Sequence, residues 1–293
     1  MLQVPLVTPR LIGALAVASL CSGVIASWRA FRCREPSAKV LAAGGQVALI
    51  AALGALALRA FVWLLFEYWG TETKATVGVG ALFLVWPGIV DTLTWLATGQ
   101  TCFDSATLIA WATVSGGLIG FWDGLHQIHD WRRHAGLTFL ADVTWGSGGS
   151  NLGLVVHFLN LNWGQPAPTV RLGAHCYDRG VCFSPAYAFA LGNVCGNLRG
   201  RGDGPLMRHE LVHVFQNRVF GPVYPITYVL WATLLFVPAV IWGLNVGRPK
   251  DVIYSWCYAN NPWEEWAYRH GGSRPAGLVW PTRRIVAAAI ALL

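Results

Sequence analysis

The run His209-Glu210-Leu211-Val212-His213 has the residue types and the spacing of a metal-dependent hydrolytic centre. Histidines four residues apart lie on one face of an α-helix, so both imidazoles can bind the same metal ion. Glu210 directly follows the first histidine, where its carboxylate can take a proton from water at that ion. The pattern predicts a Zn²⁺ site with Glu210 as the general base. In the alternative interpretation, the two histidines share a helix face without any metal.

A zinc site of this kind needs a third protein ligand, and two downstream glutamates are candidates. Glu264 and Glu265 follow Asn261-Pro262, a pair that favours the start of a helix. Acidic side chains in the first turn of a helix are also stabilised by the helix dipole. The two glutamates therefore either bind the metal or only stabilise the start of a helix.

These two motifs resemble those of the gluzincin metallopeptidases, and within them the membrane-bound branch with the CAAX-processing and HtpX-type peptidases. In that branch the third zinc ligand is a glutamate in an E-x-x-A-D pattern on a second helix. The run Glu264-Glu265-Trp266-Ala267 matches E-x-x-A, so the resemblance implies Glu264 as the ligand. Tyr268 departs from the pattern, because it replaces the aspartate that usually supports a histidine ligand. The resemblance covers roughly residues 180–270.

The resemblance also implies residues around the metal. In gluzincins an edge strand beside the zinc helix binds extended substrate by backbone pairing. Tyr187–Leu191, with Tyr187, Phe189 and Leu191, is the candidate strand, and an interior strand or a loop is the alternative. Tyr268 and His270 follow Glu264 closely, so they are candidates for an oxyanion donor or for support of a zinc ligand. Tyr224 is a weaker candidate for the same role.

The composition predicts a polytopic membrane protein. Of the 293 residues, 55% are hydrophobic and 12% are charged, and the mean hydropathy is +0.47. The 16 tryptophans agree with this class, because Trp is enriched where the apolar core of a membrane meets the headgroups. The net charge of +7 fits topology determinants and contacts with lipid headgroups. No nucleic-acid-binding motif accompanies this charge, so we expect the lipid bilayer and no nucleic acid as a partner.

Apolar runs divide the chain into two regions. Four runs near the length of about 20 residues that crosses a bilayer predict a four-helix transmembrane region over 1–122. They lie at 11–28, 40–66, 76–97 and 105–122.

Residues 123–293 are predicted to form a zinc-metallopeptidase-like region. Its elements are a motif helix at 206–219, an apolar hairpin or span at 223–245, a third-ligand helix at 261–270 and a short apolar helix at 285–293. The expected fold is therefore mainly α. It is a polytopic membrane helical bundle with an embedded or membrane-apposed gluzincin-like zinc site, and with a little β structure before the motif helix.

The apolar run 223–245 conflicts with a shared metal site. One clean crossing of the membrane would leave His209 and His213 on one side and Glu264 on the other. Because Pro222, Pro225, Pro238 and Gly243 interrupt the run, a hairpin or re-entrant element is one solution. A zinc site at membrane level is another, and the third is that Glu264 is not a ligand.

Other polar residues have open roles. Asp91 falls inside a predicted span, where it either lines a hydrated route to the zinc as an intramembrane polar site, pairs with Arg59 or has no functional role. His126 and His129 have i,i+3 spacing, which permits metal binding or a solvated loop. Cysteines 176, 182 and 195 lie in one polar region, either with a disulfide among them or as free thiols.

Three classes of function are consistent with these residues. The leading hypothesis is a multi-pass zinc metalloendopeptidase, expected in the cell membrane, that cleaves a membrane-associated protein or peptide. The second is a proteolytically inactive relative that acts as a membrane scaffold or chaperone. The third is a membrane transporter in which the H-E-x-x-H match is coincidental.

Overall fold

The computed structural model describes residues 8–34, 44–69, 73–130, 134–181, 187–199, 204–272 and 274–277. The chain over these residues is mainly helical, with one four-stranded sheet ahead of the H-E-x-x-H helix. This confirms a mainly α fold with a small amount of β structure. The apolar helix predicted at 285–293 lies outside the described residues.

Among its described residues, the N-terminal part has three long helices and two short ones. Helix α1 is Pro9–Cys33, α2 is Gly44–Trp69, α3 is Thr73–Leu82, α4 is Gly88–Thr98 and α5 is Ser105–His126. Helices α1, α2 and α5 are long and apolar enough to cross a membrane, and so is the later helix Val223–Asn245. Of these four, α5 is the most buried, so it lies at the centre of the bundle.

Helices α2 and α5 pack backbone against backbone at small residues. A Cβ atom on Gly116 would collide with the carbonyl oxygen of Gly54 and would lie 2.7 Å from Cβ of Leu58. A Cβ atom on Gly120 would lie 3.1 Å from Cα of Ala51. In a membrane, lipid tails are as apolar as the helix surface, so hydrophobic burial does not drive helices together. Apolar helices there associate by close packing at small residues such as these.

Between α3 and α4 the chain turns, so residues 76–97 do not form the single spanning helix that was predicted. The two helices touch at Gly80 and Gly88, where a Cβ atom on Gly88 would lie 2.7 Å from Cα of Gly80. The break frees the carbonyl groups of Phe83 and Leu84. The buried amide of Asn151 donates hydrogen bonds to both, at 3.1 and 3.0 Å, which offsets the lost helical bonds.

A small sheet lies between the bundle and the motif helix. It follows α6 (Ala135–Val143) and α7 (Ser147–Trp163) and consists of β1 (Thr169–Arg171), β2 (Ala174–Tyr177), β3 (Phe189–Leu191) and β4 (Val194–Gly196). The strand order is β1-β2-β4-β3, with β2 and β4 parallel and the other pairs antiparallel. Cys176 and Cys195 lie side by side on β2 and β4 as buried free thiols, and Cys182 lies outside the described residues.

The C-terminal part is a helical hairpin between two ligand-bearing helices. The motif helix α8 is Pro205–Phe220 and the long helix α9 is Val223–Asn245. The return leg consists of α10 (Pro249–Ile253) and a π-helix (Tyr254–Ala259), and it leads into α11 (Pro262–Gly271).

Contacts along the hairpin show that the return leg runs back beside α9. Near the tip, a Cβ atom on Gly243 would lie 3.3 Å from Cβ of Pro249. Lower down, Trp231 Nε1 donates to the carbonyl of Trp256 at 3.0 Å, and Asn261 Nδ2 donates to the carbonyl of Tyr228 at 3.2 Å. The chain therefore reverses after residue 245. Residues 223–245 are one helix and do not contain a hairpin, but the reversal returns α11 to the level where α9 began.

Candidate metal centre

His209 and His213 lie one turn apart on α8 and are both buried. Their Nε2 atoms are 3.2 Å apart. Pro205 occupies the start of α8, where its missing N–H group costs no helical hydrogen bond. The regular helix over the motif thus brings the two ring nitrogens to one point, as the i,i+4 spacing predicts.

Glu264 reaches the same point from the first turn of α11. Asn261 caps this helix, since its side-chain oxygen accepts a hydrogen bond from the Trp263 amide at 3.1 Å. The two carboxylate oxygens of Glu264 lie 3.1 Å from Nε2 of His209 and 3.3 Å from Nε2 of His213. Glu265 instead pairs with Arg269 and Arg274 at the surface, at 3.1 and 3.0 Å. The geometry therefore brings Glu264 and not Glu265 to the two histidines.

The spacing of these donor atoms matches a metal site. Ligands about 2.0–2.2 Å from a tetrahedral zinc ion are about 3.3–3.6 Å from one another. The observed separations of 3.1 to 3.3 Å are close to this range. Two imidazoles and one carboxylate, all buried, form a donor set able to hold a metal ion and leave one tetrahedral position open.

Gln216 fixes the orientation and the tautomer of His213. Its amide nitrogen donates to the carbonyl of Trp263 at 3.0 Å, so its amide oxygen faces Nδ1 of His213 at 2.8 Å. Nδ1 of His213 must then carry a proton, so in the neutral ring Nε2 presents its lone pair to Glu264 and His209. The hydroxyl of Tyr224 also contacts this Nδ1, at 3.2 Å. Outer partners of this kind orient metal-binding histidines and increase their basicity.

Glu264 keeps its negative charge in spite of its burial. Burial alone would raise the pKa of the Glu264 carboxyl. Hydrogen bonds from His209 and His213 have the larger effect and lower this pKa to about 2. Burial lowers the pKa of His213, but the hydrogen bond and the charge of Glu264 raise it to about 9. The Tyr228 hydroxyl also donates to Glu264 at 2.9 Å. The carboxylate is thus held in its charged form.

Helices α8 and α11 are in direct contact at one glycine. A Cβ atom on Gly271 would lie 2.8 Å from both the backbone nitrogen and the Cβ of His209. On the other side of His209, the ring of Tyr268 lies with its centroid 4.6 Å away. Tyr268 therefore packs against the ring of a candidate ligand, His209. His213 is instead held by Gln216.

Glu210 is buried beside the ligands and opens on a cavity. Burial raises the pKa of its carboxyl and the charge of Glu264 adds to this, while His213 and His209 lower it, with a net shift upward. The cavity has a volume of about 550 Å³, and Glu210 and Glu264 both line it. Its wall also contains five tyrosines: Tyr187, Tyr224, Tyr228, Tyr254 and Tyr258. A carboxylate with a raised pKa is suited to accept a proton at such a place.

The candidate substrate strand lies along the same cavity. Strand β3, Phe189–Leu191, is at an edge of the sheet and pairs only with β4 among the described strands. Residues Tyr187 to Leu191 all line the cavity. Tyr187 precedes the strand and is half exposed, with its ring 6.4 Å from that of Tyr254.

Two other predicted residues lie apart from the ligands. His270 is exposed, and its Nδ1 bonds to the carbonyl of Trp266 in its own helix at 2.9 Å, so it neither donates to the cavity nor supports a ligand. Asp91 accepts hydrogen bonds from the amides of Cys102 and Phe103, at 2.7 and 3.0 Å. It shapes the turn before α5 and is not among the residues that line the cavity.

Gln216 and Tyr228 were not identified from the sequence. Gln216 lies three residues after His213, on the same helix face, and this spacing is the signal that points to it. Tyr228 has no such signal, because its position depends on how α9 crosses α11. Comparison of the chain with protein-family models, with curated proteins and with solved structures gave no match.

Proposed function

We propose that this protein is a multi-pass membrane zinc metalloendopeptidase. The observation that carries the proposal is the convergence of His209, His213 and Glu264 within 3.1 to 3.3 Å, with Glu210 beside them in a cavity. Four helices long and apolar enough to cross a membrane support the membrane location. The resemblance to gluzincins supports zinc as the metal.

In this mechanism each residue has one role. Zinc, when bound, supplies Lewis acidity that acidifies water and polarises a peptide carbonyl. Glu210 accepts the proton of the attacking water and then returns it to the amine that leaves. Gln216 holds His213 in the tautomer that binds the metal, and Tyr228 holds the carboxylate of Glu264. Because Tyr228 donates its only hydroxyl hydrogen to Glu264, the other tyrosines of the cavity wall are the donors available to a developing oxyanion.

The shape of the cavity favours an extended peptide segment. An edge strand offers unpaired backbone groups to a second strand, and β3 presents such an edge along the cavity. The remaining wall is aromatic and apolar, formed by tyrosines together with Pro225 and Val229. The cavity therefore suits apolar side chains on either side of the cleaved bond.

The position of the cavity along α9 supports a substrate at the membrane surface. Only the first two turns of α9 line the cavity, at Tyr224, Pro225, Tyr228 and Val229. If α9 crosses the bilayer, the site lies at the end of the span and not at its middle. Trp263 and Trp266 stack near this end, with ring centroids 6.3 Å apart, as aromatic residues do at the headgroup level. We infer that the substrate is a membrane protein or a membrane-associated peptide.

Metal content and peptide cleavage, measured on the same preparations, test the proposal. Zinc per chain is measured by elemental mass spectrometry on detergent-purified protein, and cleavage with internally quenched peptides that have apolar residues around the central bond. We expect Glu210→Gln to keep zinc and to lose about 10²–10⁴-fold in kcat/KM. We expect Glu264→Gln to lose zinc, and Glu265→Gln, the matched control in the same helix turn, to keep both properties.

One observation also favours an inactive scaffold or chaperone, namely the replacement of the expected aspartate by Tyr268. Wild-type protein that holds zinc and cleaves none of the peptides would favour this alternative. Cleavage by Glu210→Gln at the wild-type rate would remove Glu210 from its role. Wild type without zinc, purified without chelators and with zinc supplied, would contradict the peptidase altogether.

A further inference from the structure

A second group of metal-binding side chains is buried on another side of α8. Asp123 lies in the last turn of α5, His129 follows that helix, and Asp142 lies on α6. Their exposed fractions are 2%, 5% and 0%. One donor atom from each lies within 4.8 Å of the other two. His126, the partner of His129 in the sequence pattern, stacks on Trp122 and is not part of this group.

The hydrogen bonds around His129 show which ring nitrogen faces the carboxylates without a proton. The hydroxyl of Thr138 has one hydrogen and donates it to the carbonyl of Ala135 at 2.9 Å. Its oxygen, 3.2 Å from Nδ1 of His129, must therefore accept a hydrogen bond from that nitrogen. In a neutral ring, Nε2 then presents a lone pair to the Oδ2 atoms of Asp123, at 3.1 Å, and Asp142, at 3.9 Å. Lone pairs that face one another repel, so either a metal ion or a proton on Nε2 lies between these atoms.

Outer partners hold both carboxylates in this orientation. The second oxygen of Asp123 accepts hydrogen bonds from His175 and Asn193, both at 3.0 Å. The second oxygen of Asp142 accepts a bond from Nε of Arg218 at 2.8 Å. The Oδ2 atom of Asp142 also accepts from Nη2 of Arg218 at 2.7 Å and from Asn193 at 3.3 Å. Such a shell of donors is typical of carboxylates that bind metal ions.

The charge balance leaves room for one more cation. Asp123 and Asp142 carry two negative charges when ionised, and Arg218 supplies one positive charge. Burial of uncompensated charge is costly, so either a proton on His129 or a bound cation close to these oxygens would balance the remaining charge. One imidazole with two carboxylates is a mixed nitrogen and oxygen set, which suits a divalent transition metal better than Mg²⁺ or Ca²⁺.

We propose that Asp123, His129 and Asp142 bind a divalent transition-metal ion that fastens α5 to α6, the helix to which Arg218 joins α8. Arg218 makes the connection, because it lies on α8 and forms two hydrogen bonds with Asp142. It follows His209 by nine residues, which at about 100° per residue puts it on the opposite face of the helix. The ion is structural and does not depend on the peptidase proposal.

Metal counts on separate variants test this site. The full chain is purified in detergent without chelators, after growth with Zn²⁺ and Mn²⁺, and metals are counted by elemental mass spectrometry. We expect two ions in the wild type, one in Glu264→Gln and one in His129→Gln. The matched control is His134→Gln, an exposed histidine next to α6, and it should keep two.

The same counts separate the two sites. One ion in the wild type, none in Glu264→Gln and one in His129→Gln would overturn the second site and leave the first, with a protonated His129 as the cation. One ion in the wild type that Glu264→Gln keeps and His129→Gln loses would support the second site and contradict the first.

Folding of each variant is checked by size-exclusion chromatography and circular dichroism. If His129→Gln does not fold, Asp123→Asn replaces it. If neither variant folds, the test is to add Co²⁺ to Glu264→Gln, because this variant keeps the second site intact. A ligand-field spectrum from one bound Co²⁺ supports the proposal, and its absence overturns it.

Discussion

Nδ1 of His213 lies 2.8 Å from the amide oxygen of Gln216, which the carbonyl of Trp263 holds in that orientation. This contact links the start of α11 to a ligand on α8 without involving the metal. Residues that orient a metal-binding histidine in this way typically change metal affinity by about 10–100-fold when they are replaced. Gln216 is therefore a positioning residue for His213.

We expect Gln216→Leu to weaken zinc binding by about 10–100-fold. Leucine has no oxygen to accept the hydrogen on Nδ1 of His213. The ring is then no longer held in the tautomer whose Nε2 is free to bind the metal. Zinc affinity is measured by competition with a chromophoric chelator. Gln216→Glu keeps an acceptor oxygen and should bind zinc far better than the leucine variant. Equal affinities in wild type and Gln216→Leu would contradict this role.

We expect Gly271→Ala to destabilise the protein by about 1–3 kcal/mol, the usual cost of adding a methyl group to a filled contact. The new Cβ would lie 2.8 Å from the backbone nitrogen of His209, so α11 has to move away from α8. Glu264 moves with its helix, and zinc affinity falls too. Thermal unfolding and chelator competition measure the two effects. Gly136→Ala is the control, because nothing lies within 4 Å of its added Cβ, and a similar loss there would argue against the contact.

We expect Ala190→Pro to reduce peptide cleavage and to leave zinc content unchanged. The loop between β3 and β4 has two residues, so the flanking pair Leu191 and Val194 exchanges both hydrogen bonds. The N–H group of Ala190 therefore points away from β4, towards the open edge, and proline removes it. The lost hydrogen bond is worth about 0.5–1.5 kcal/mol, or up to about tenfold in kcat/KM. Ala190→Ser keeps the N–H group and should cleave at the wild-type rate. Undiminished cleavage by the proline variant would show that substrate does not pair with β3.

We expect Gly116→Ala to lower the temperature of unfolding in detergent, at a cost of about 1–3 kcal/mol. Its Cβ collides with the carbonyl of Gly54, so α2 and α5 must separate. Gly23→Ala on α1 is the matched control, since its Cβ has open space. If both variants unfold at the wild-type temperature, the backbone contact between α2 and α5 does not limit stability.

Some parts of the site follow from local sequence. The regular turn of a helix is a local property, so the spacing of His209 and His213 predicts that their rings meet. Asn261-Pro262 predicts the start of α11 for the same reason. Selection of Glu264 over Glu265 needed the E-x-x-A pattern. The local sequence predicts the start of the helix, but it does not predict which of two adjacent glutamates faces the histidines.

Other parts of the fold depend on where the chain turns and on how the helices pack. Average hydropathy predicts neither. An average over 76–97 remains apolar although the chain turns between Gly80 and Gly88. The reversal after residue 245 likewise follows an uninterrupted apolar helix, and Pro238 lies within it without breaking it. The group around Asp123 and Asp142 comes from several separate elements, so no motif in the sequence contains it.

The hairpin between the ligand helices also sets an order for assembly during synthesis. The two histidines leave the ribosome some fifty residues before Glu264, separated from it by all of α9 and its return leg. A nascent chain that has not completed this reversal has two of the three candidate ligands. Under the proposed function, tight metal binding would therefore require the closed hairpin, so the ion would mark completed assembly of the C-terminal region.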